Sequence, residues 1–300
     1  MNVKFIVNPT SGKQIVQENV DGVVAQLTQD GVWQDVDVFY TQAKNEAYAA
    51  ALELKEDEYD LVVAVGGDGT VHEVVNGILK GGSNIPVAVM PAGTVNDFGH
   101  YLQVPNDIEG YCQMVRNNKI IPVDVGQVGD DYFLNVFAGG LFTDISYKVP
   151  RDVKKVLGEL AYYLAGAVTL PLNIFRSYSL ELTYEGKTVE EQVLLFIISN
   201  TPSVGGFKQI CPQAGISDGL LDVCIIRRSA LEYLLPLFFR VMKGEHIDSP
   251  HVSYFQTDYL EIRRTNPSGG ELSMDMDGEQ KGSLPAVVKV VPGALRMLVP

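Results

Sequence analysis

The sequence predicts an α/β plus β protein: a parallel α/β domain over residues 1–122, then a mostly antiparallel β-sandwich domain over residues 123–290. Residues 291–300 form a terminal segment able to pack back on the first domain. Three observations carry this reading. Through the first third, apolar runs without polar alternation, such as "YDLVVAVGG", alternate with helical segments, as strands covered on both faces do. Past Pro122 the runs become short and β-rich, separated by Gly, Asp or Asn. A length of 300 residues also exceeds what one core ordinarily serves.

The elements follow in order. "VKFIVNP" is a strand, and the polar, periodic stretch 15–30 a helix. "VDVFYT" is a second strand, and the Ala-rich stretch 45–54 a second helix. "YDLVVAVGG", a helix over 71–80, and "IPVAVMPAG" complete a strand–helix alternation that implies a parallel sheet. Farther on, "YSLELTYEGKTVEEQVLLFIISN" reads as a hairpin turning at Glu185, Gly186 and Lys187. "GLLDVCIIRR", "YLEIRRT", "GELSMDMDGEQ" and "AVVKVVPGAL" continue the β pattern. Helical stretches at 153–169 and 231–243 interrupt it. In the second of these, Leu234, Leu235, Phe238, Phe239 and Met242 form one stripe, either core or a wall for an apolar ligand.

The charge balance excludes some functions. With 23 cations against 37 acids the net charge is −14, unsuited to general nucleic-acid binding. It also opposes attachment to anionic membranes, except through a local cluster. One such cluster exists: Lys148, Arg151, Lys154 and Lys155 precede the apolar stretch "LAYYLAGAVTLPLNIF". That stretch is short for a membrane span and carries Pro171, so a buried or interfacial helix is expected. The opening "MNVKFIVNP" lacks the features of a secretory signal. Cys112, Cys211 and Cys224 show no C-x-x-C spacing and are expected as buried, reduced thiols. Together these features predict a cytoplasmic protein.

The chemistry concentrates at strand ends. "VGGDGTVHE" places glycines where a buried parallel strand ends and a helix begins. Glycine allows a sharp turn and close backbone approach, and the helix N-terminus attracts anions. Gly66, Gly67, Gly69 and Thr70 therefore suit a phosphate cradle. Asp68 within it makes sense if a cation intervenes, although a plain turn with Asp68 as N-cap is the alternative. "NPTSGK" and "PAGTVNDF" follow two other strands of the same domain, at ends of the same hand. Three such loops should converge on one crevice. Neither a Walker nor a Rossmann glycine pattern is present.

In order, "NPTSGK", "VGGDGTVHEVVNGI", "PAGTVNDFGHYL", "VDVGQV", "YFLNVFAGG", "ISDGLLDV" and "DMDGE" span nearly the whole chain. This set resembles the diacylglycerol kinase catalytic-domain family, which includes soluble bacterial lipid kinases and sphingosine kinases. The resemblance implies an ATP-dependent lipid kinase, with diacylglycerol the expected acceptor. It implies ATP binding by Asn8, Pro9, Thr10, Ser11, Gly12, Lys13, Thr41, Gly66, Gly67, Asp68, Gly69, Thr70, Val71, His72, Glu73, Thr94 and Asn96. Asp68 and Asp97 match acidic residues of a water-and-magnesium network beside the phosphates. Asp218, with the carbonyls of Gly215 and Leu220, matches a second-domain Mg2+ loop, where a simple hairpin turn is the plainer reading.

Without the resemblance, Asp275, Asp277 and Glu279 read as a polar strand face or hairpin end. With it, Glu279 matches the proton acceptor, Asp277 sits beside it, and which of the two takes the proton stays open. The resemblance further implies a peripheral enzyme at the inner membrane face and a homodimer. His100 stands where many relatives carry Arg. Two other functions compete. One is phosphorylation of a soluble acceptor such as NAD, since NAD kinases share G-G-D-G-T. The other is a lipid- or nucleotide-binding regulator with little turnover.

Overall fold

The computed structural model describes residues 1–11, 14–140, 177–266 and 272–300. The chain divides into two compact units. The first comprises Met1–Asn135, Gly215–Gly219 and Val290–Pro300; the second comprises Val136–Ala214 and Leu220–Lys289.

In the first unit, β1 (Asn2–Val7) lies between β2 (Asp35–Tyr40) and β3 (Leu61–Gly66), and β3 pairs with β4 (Val87–Pro91), all parallel. The apolar runs are continuous because alternate residues serve two cores. Leu61, Val63 and Val65 of β3 face one core, with α1 (Gln14–Gln29) and α5 (Ile108–Asn117). Val62 and Ala64 face the other, with α2 (Glu46–Leu52) and α3 (Asp68–Gly81). Helix α4 (Asp97–Tyr101) and α5 lie in a stretch where the sequence reading placed no helix. α4 is too short to show a period, but in α5 Ile108, Tyr111, Cys112 and Val115 recur at i, i+3, i+4 and i+7, the spacing of an amphipathic helix, and the Asp107 N-cap, which accepts from the Gly110 amide, marks its start.

The first unit runs past residue 122 for a local reason. Strand β5 (Lys119–Val128) pairs with β6 (Asp131–Phe133), and Asn76 of α3 clasps that hairpin. The Asn76 carboxamide accepts from the Tyr132 amide at 2.9 Å and donates to its carbonyl at 2.8 Å. The last strand, β15 (Ala286–Val299), begins in the second unit and ends in the first, where Met297 pairs with Val87.

The second unit is mostly antiparallel. The C-terminal half of β9 (Lys187–Ser199) is flanked by β7 (Val136–Gly140) and β10 (Leu221–Arg227); its first half pairs with β8 (Tyr178–Tyr184). β10 also pairs with β11 (Val252–Thr257), and β12 (Tyr259–Arg264) joins β8 to β15. The β8–β9 turn has two residues, Glu185 and Gly186, both with positive φ, the geometry a tight hairpin prefers. Glu185 is not among the residues that favour φ > 0, so Gly186 carries this turn.

Helix α6 (Leu231–Lys243) packs Leu234, Leu237, Phe238 and Val241 on the sheet. The single apolar stripe expected there is split: Leu234 and Phe238 point inward, Phe239 and Met242 outward. The expected 153–169 helix and the Lys148, Arg151, Lys154 and Lys155 cluster lie outside the described residues. Among the described residues no helix is long and apolar enough to cross a membrane. Cys112, Cys211 and Cys224 are buried and unbridged, and burial pushes the Cys224 thiol up to about 12.

Candidate functional site

Two glycine loops of the first unit meet backbone to backbone. A Cβ on Gly93 would lie 2.6 Å from the Gly67 Cα and 2.8 Å from Asn96 Oδ1. A Cβ on Gly66 would lie 2.4 Å from Thr70 Oγ1. The approach is held by the Ala92 amide, which donates to the Gly66 carbonyl at 2.8 Å. Only glycine permits such contact. Helix α3 starts one residue on, with Gly67 as N-cap and no side-chain cap. Asp68 is thus the first helical residue, not the N-cap, and its carboxylate stands at the positive end of the helix dipole.

The "NPTSGK" loop reaches the same helix start. Asn8 Nδ2 donates to Thr70 Oγ1 at 3.2 Å, while Asn8 Oδ1 accepts from the Thr10 amide and hydroxyl. The Asn8 amide donates to Val65 O at the end of β3. The structure therefore brings Asn8, Thr10, Gly66, Gly67 and Thr70 to one place beside Gly93. Gly12 and Lys13 lie outside the described residues.

Other expected binding residues hold the frame. Thr41 is buried and donates to Val7 O through its amide at 2.9 Å. Val71 is in the core, and His72 is buried with its Nε2 3.5 Å from Asn76 Nδ2. Glu73 Oε1 accepts from the Asn45 amide, fixing the start of α2. Asn96 has φ 49° and closes its own loop: Oδ1 accepts from the Gly93 amide and Nδ2 donates to the Gly93 carbonyl. Glu73 Oε1 on the Asn45 amide and the Asn96 carboxamide on Gly93 thus shape the backbone around the cradle. Asp97 is buried at the start of α4; Thr94 and His100 are exposed.

A third element is the Gly215–Gly219 loop. A Cβ on Gly215 would sit 3.1 Å from Asp218 Oδ2, so the Asp218 carboxylate folds back closely over Gly215. Tyr101 lies alongside. Burial, the largest effect, and the Asp218 charge raise its phenol above the ordinary value, against a hydrogen bond with the Ile216 backbone. Leu220, the other expected metal ligand, follows in sequence and belongs to the second unit. Among the described residues no three His, Cys, Asp or Glu side chains gather as a metal cluster. A cation at this loop would rest on one carboxylate and carbonyl oxygens.

One residue the sequence reading passed over anchors this loop. Asp124, inside "VDVGQV", is 3% exposed. Its Oδ2 accepts from the Gly219 amide and its Oδ1 from the Gly293 amide, both at 2.7 Å. Its own amide donates to Ile216 O. A lone acid within an apolar strand was the available signal, since such a charge needs partners to be buried.

In the second unit, β13 (Met274–Met276) and β14 (Glu279–Gln280) are joined by Asp277 and Gly278, both with positive φ. Asp277 is buried; its Oδ1 accepts from the Val136 amide at 2.8 Å, and its amide donates to Val136 O. Asp275 Oδ1 accepts from the Gly278 amide. Glu279 is partly exposed on β14. The two carboxylates named for one task thus differ: Asp277 caps a strand, whereas Glu279 stands where a solute can reach it.

Comparison with known proteins agrees with this layout. Residues 2–128 match the family described as the diacylglycerol kinase catalytic domain. Residues 145–299 match that described as the YegS C-terminal NAD kinase beta sandwich-like domain. The chain is 35% identical over 283 residues to a diacylglycerol kinase of Bacillus subtilis (strain 168), covering 94% of this chain and 91% of that one. It is 34% identical to a diacylglycerol kinase of Staphylococcus aureus (strain NCTC 8325 / PS 47), covering 94% and 87%. A solved structure from Bacillus anthracis str. Sterne is similar with a TM-score of 0.83 at 25% identity, covering 100% of this chain and 95% of that one. Another from that organism, a diacylglycerol kinase, has a TM-score of 0.79 at 24% identity, covering 100% and 97%, and shows the shared fold. Matches along both units, with relatives at this identity over nearly the full length, make the chain a member of the diacylglycerol kinase family of lipid kinases.

Proposed function

We propose that the chain transfers the γ-phosphoryl group of ATP to the primary hydroxyl of diacylglycerol, giving phosphatidic acid and ADP. The observation that carries this reading is the Gly67–Gly93 contact at the start of α3. Side chains are excluded there, backbone amides are brought together, and the helix dipole favours phosphate. Asn8 and Thr70, bonded to each other, border the cradle. The acceptor oxygen bonds to the γ-phosphorus, the bond to the bridging oxygen breaks, and ADP leaves. The hydroxyl proton passes to Glu279 as general base. Such transfer depends on positioning and charge neutralisation more than on covalent help.

Asp218 and the carbonyls of Gly215 and Leu220 are suited to hold Mg2+, because Gly215 leaves room for the folded-back carboxylate. The ion would brace the loop, while Asp68 and Asp97 would orient water and metal near the phosphates. The enzyme would work peripherally at the inner face of the membrane, where its acceptor resides.

Transfer of radiolabelled γ-phosphate tests the reading, with diacylglycerol in mixed micelles and, separately, NAD. Label in an organic-extractable product supports it. Label on NAD moves the chain to the NAD-kinase reading, and no label on either sinks transfer to diacylglycerol. Within the same assay, Gly93→Ala is expected to raise the apparent KM for ATP at least about tenfold, equivalent to ~1.4 kcal/mol. The added methyl would part the two loops. An unchanged KM would place ATP elsewhere.

A further inference from the structure

The loop 215–220 carries Gly215, Asp218 and Leu220. The residues at its two stems, Gln213 before it and Asp222 after it, both belong to the second unit. Two side chains of β11 tie these stems together. Tyr254 donates its hydroxyl to Asp222 Oδ1 and accepts from the Gln213 amide at 3.2 Å. Gln256 donates from Nε2 to Asp222 Oδ2 at 3.1 Å and to the Gln213 carbonyl at 3.4 Å. Strand register explains the arrangement. Asp222 of β10 lies opposite Gln256 in the antiparallel ladder, and Cys224 lies opposite Tyr254, so Tyr254 is the diagonal neighbour of Asp222. Residues two apart share a face of a strand, which puts both β11 side chains on the same stems.

Folding alone does not call for this clamp. Asp222 is 0% exposed, and a buried carboxylate is costly unless it is bonded. What the network holds, however, is the main chain of Gln213, an exposed residue. Its amide and its carbonyl are both engaged, and each is joined to a different oxygen of Asp222 through one β11 side chain. The separation of the two stems is thereby fixed. Such fixing matters to a hard cation. Mg2+ accepts only oxygen sets close to an octahedron, so a loop offering one carboxylate and main-chain carbonyls depends on where its ends lie. Ends joined beforehand also spare the chain entropy that binding would otherwise cost.

We propose that Tyr254 and Gln256 are positioning residues for the cation loop: by joining Gln213 to Asp222 they hold residues 215–220 in the shape that takes Mg2+. This rests on the reading that the loop holds that ion. Both side chains act through the stems rather than as ligands.

Thermal melts of the full chain, in EDTA and across a magnesium series without nucleotide or lipid, test the clamp. A cation that binds the folded chain raises the melting midpoint once its concentration passes the dissociation constant. Asp218→Asn should abolish that rise, which assigns it to the loop. Tyr254→Phe should displace the rise to at least about tenfold higher magnesium, as removal of a group that orients a metal's ligands does. Gln256→Met, similar in size but without the amide, should displace it in the same direction and keeps the test open if Tyr254→Phe does not fold. Ile262→Val, in the buried core of β12, should lower the midpoint in EDTA and leave the magnesium dependence as in the wild type. No displacement in Tyr254→Phe and Gln256→Met, or an equal one in Ile262→Val, overturns the clamp and leaves the proposed phosphoryl transfer standing. A rise that survives Asp218→Asn, or no rise in the wild type, also overturns it, by taking the cation away from this loop. Label transfer to diacylglycerol is read separately, so displaced melts with no lipid product from the wild type keep the clamp and remove the proposed function.

Discussion

Glu279→Gln is expected to reduce phosphoryl transfer about 10²–10⁴-fold, the range that general-base assistance supplies, with the melting temperature unchanged. Asp277→Asn should keep most of the activity. The two differ because their surroundings differ. Asp277 occupies a left-handed position at φ 49°, which Asn adopts as readily, and an Asn Oδ1 can still accept from the Val136 amide. Asp277→Ala should instead destabilise the second unit by about 1–3 kcal/mol, because it strands a buried donor. Glu279 is partly exposed on a two-residue strand, and an amide there keeps shape but cannot take a proton. Measuring kcat with saturating ATP, alongside thermal melts, distinguishes the roles. Full activity in Glu279→Gln and none in Asp277→Asn would exchange them.

The first unit was legible because its signals are dense. Fully apolar strands such as Leu61–Gly66 have one physical explanation, burial on both faces, and the glycines after them mark the turn. The hairpin at Glu185 and Gly186 was legible for the same reason: the turn chemistry is local. The path of β15 through both units depends on long-range pairing that no window of sequence contains. The same holds for α6. Its apolar residues are dense enough to mask the periodicity, and only packing separates Phe238, turned inward, from Phe239, turned outward.

At the site, residue type was legible and the bonds each side chain makes within the chain were not. Asn96 closes a loop on Gly93, and Glu73 holds the Asn45 amide. Polar side chains near a phosphate cradle either touch the ligand or shape the backbone that does. Composition cannot separate these tasks, because both require the same donors and acceptors.

Asp124 shows this most sharply, and its replacement by Ala should be among the most damaging changes in the first unit. The buried carboxylate takes two backbone amides at 2.7 Å, from Gly219 and from Gly293. Removing it leaves both donors without that acceptor at about 1–3 kcal/mol each, so a loss of roughly 2–6 kcal/mol is expected by the same principle. Asp124→Asn keeps one acceptor oxygen but turns an amide toward the second donor, so it should recover only part of the loss. The loop so tied carries Asp218 over Gly215, and loosening it should also weaken any cation held there. Chemical denaturation of the wild type and both variants, with and without magnesium, measures the two effects together. The expected pattern is a lower midpoint in both variants and a smaller stabilisation by magnesium. If Asp124→Ala unfolds at the wild-type midpoint, these amides find other acceptors and Asp124 is not the anchor of the loop.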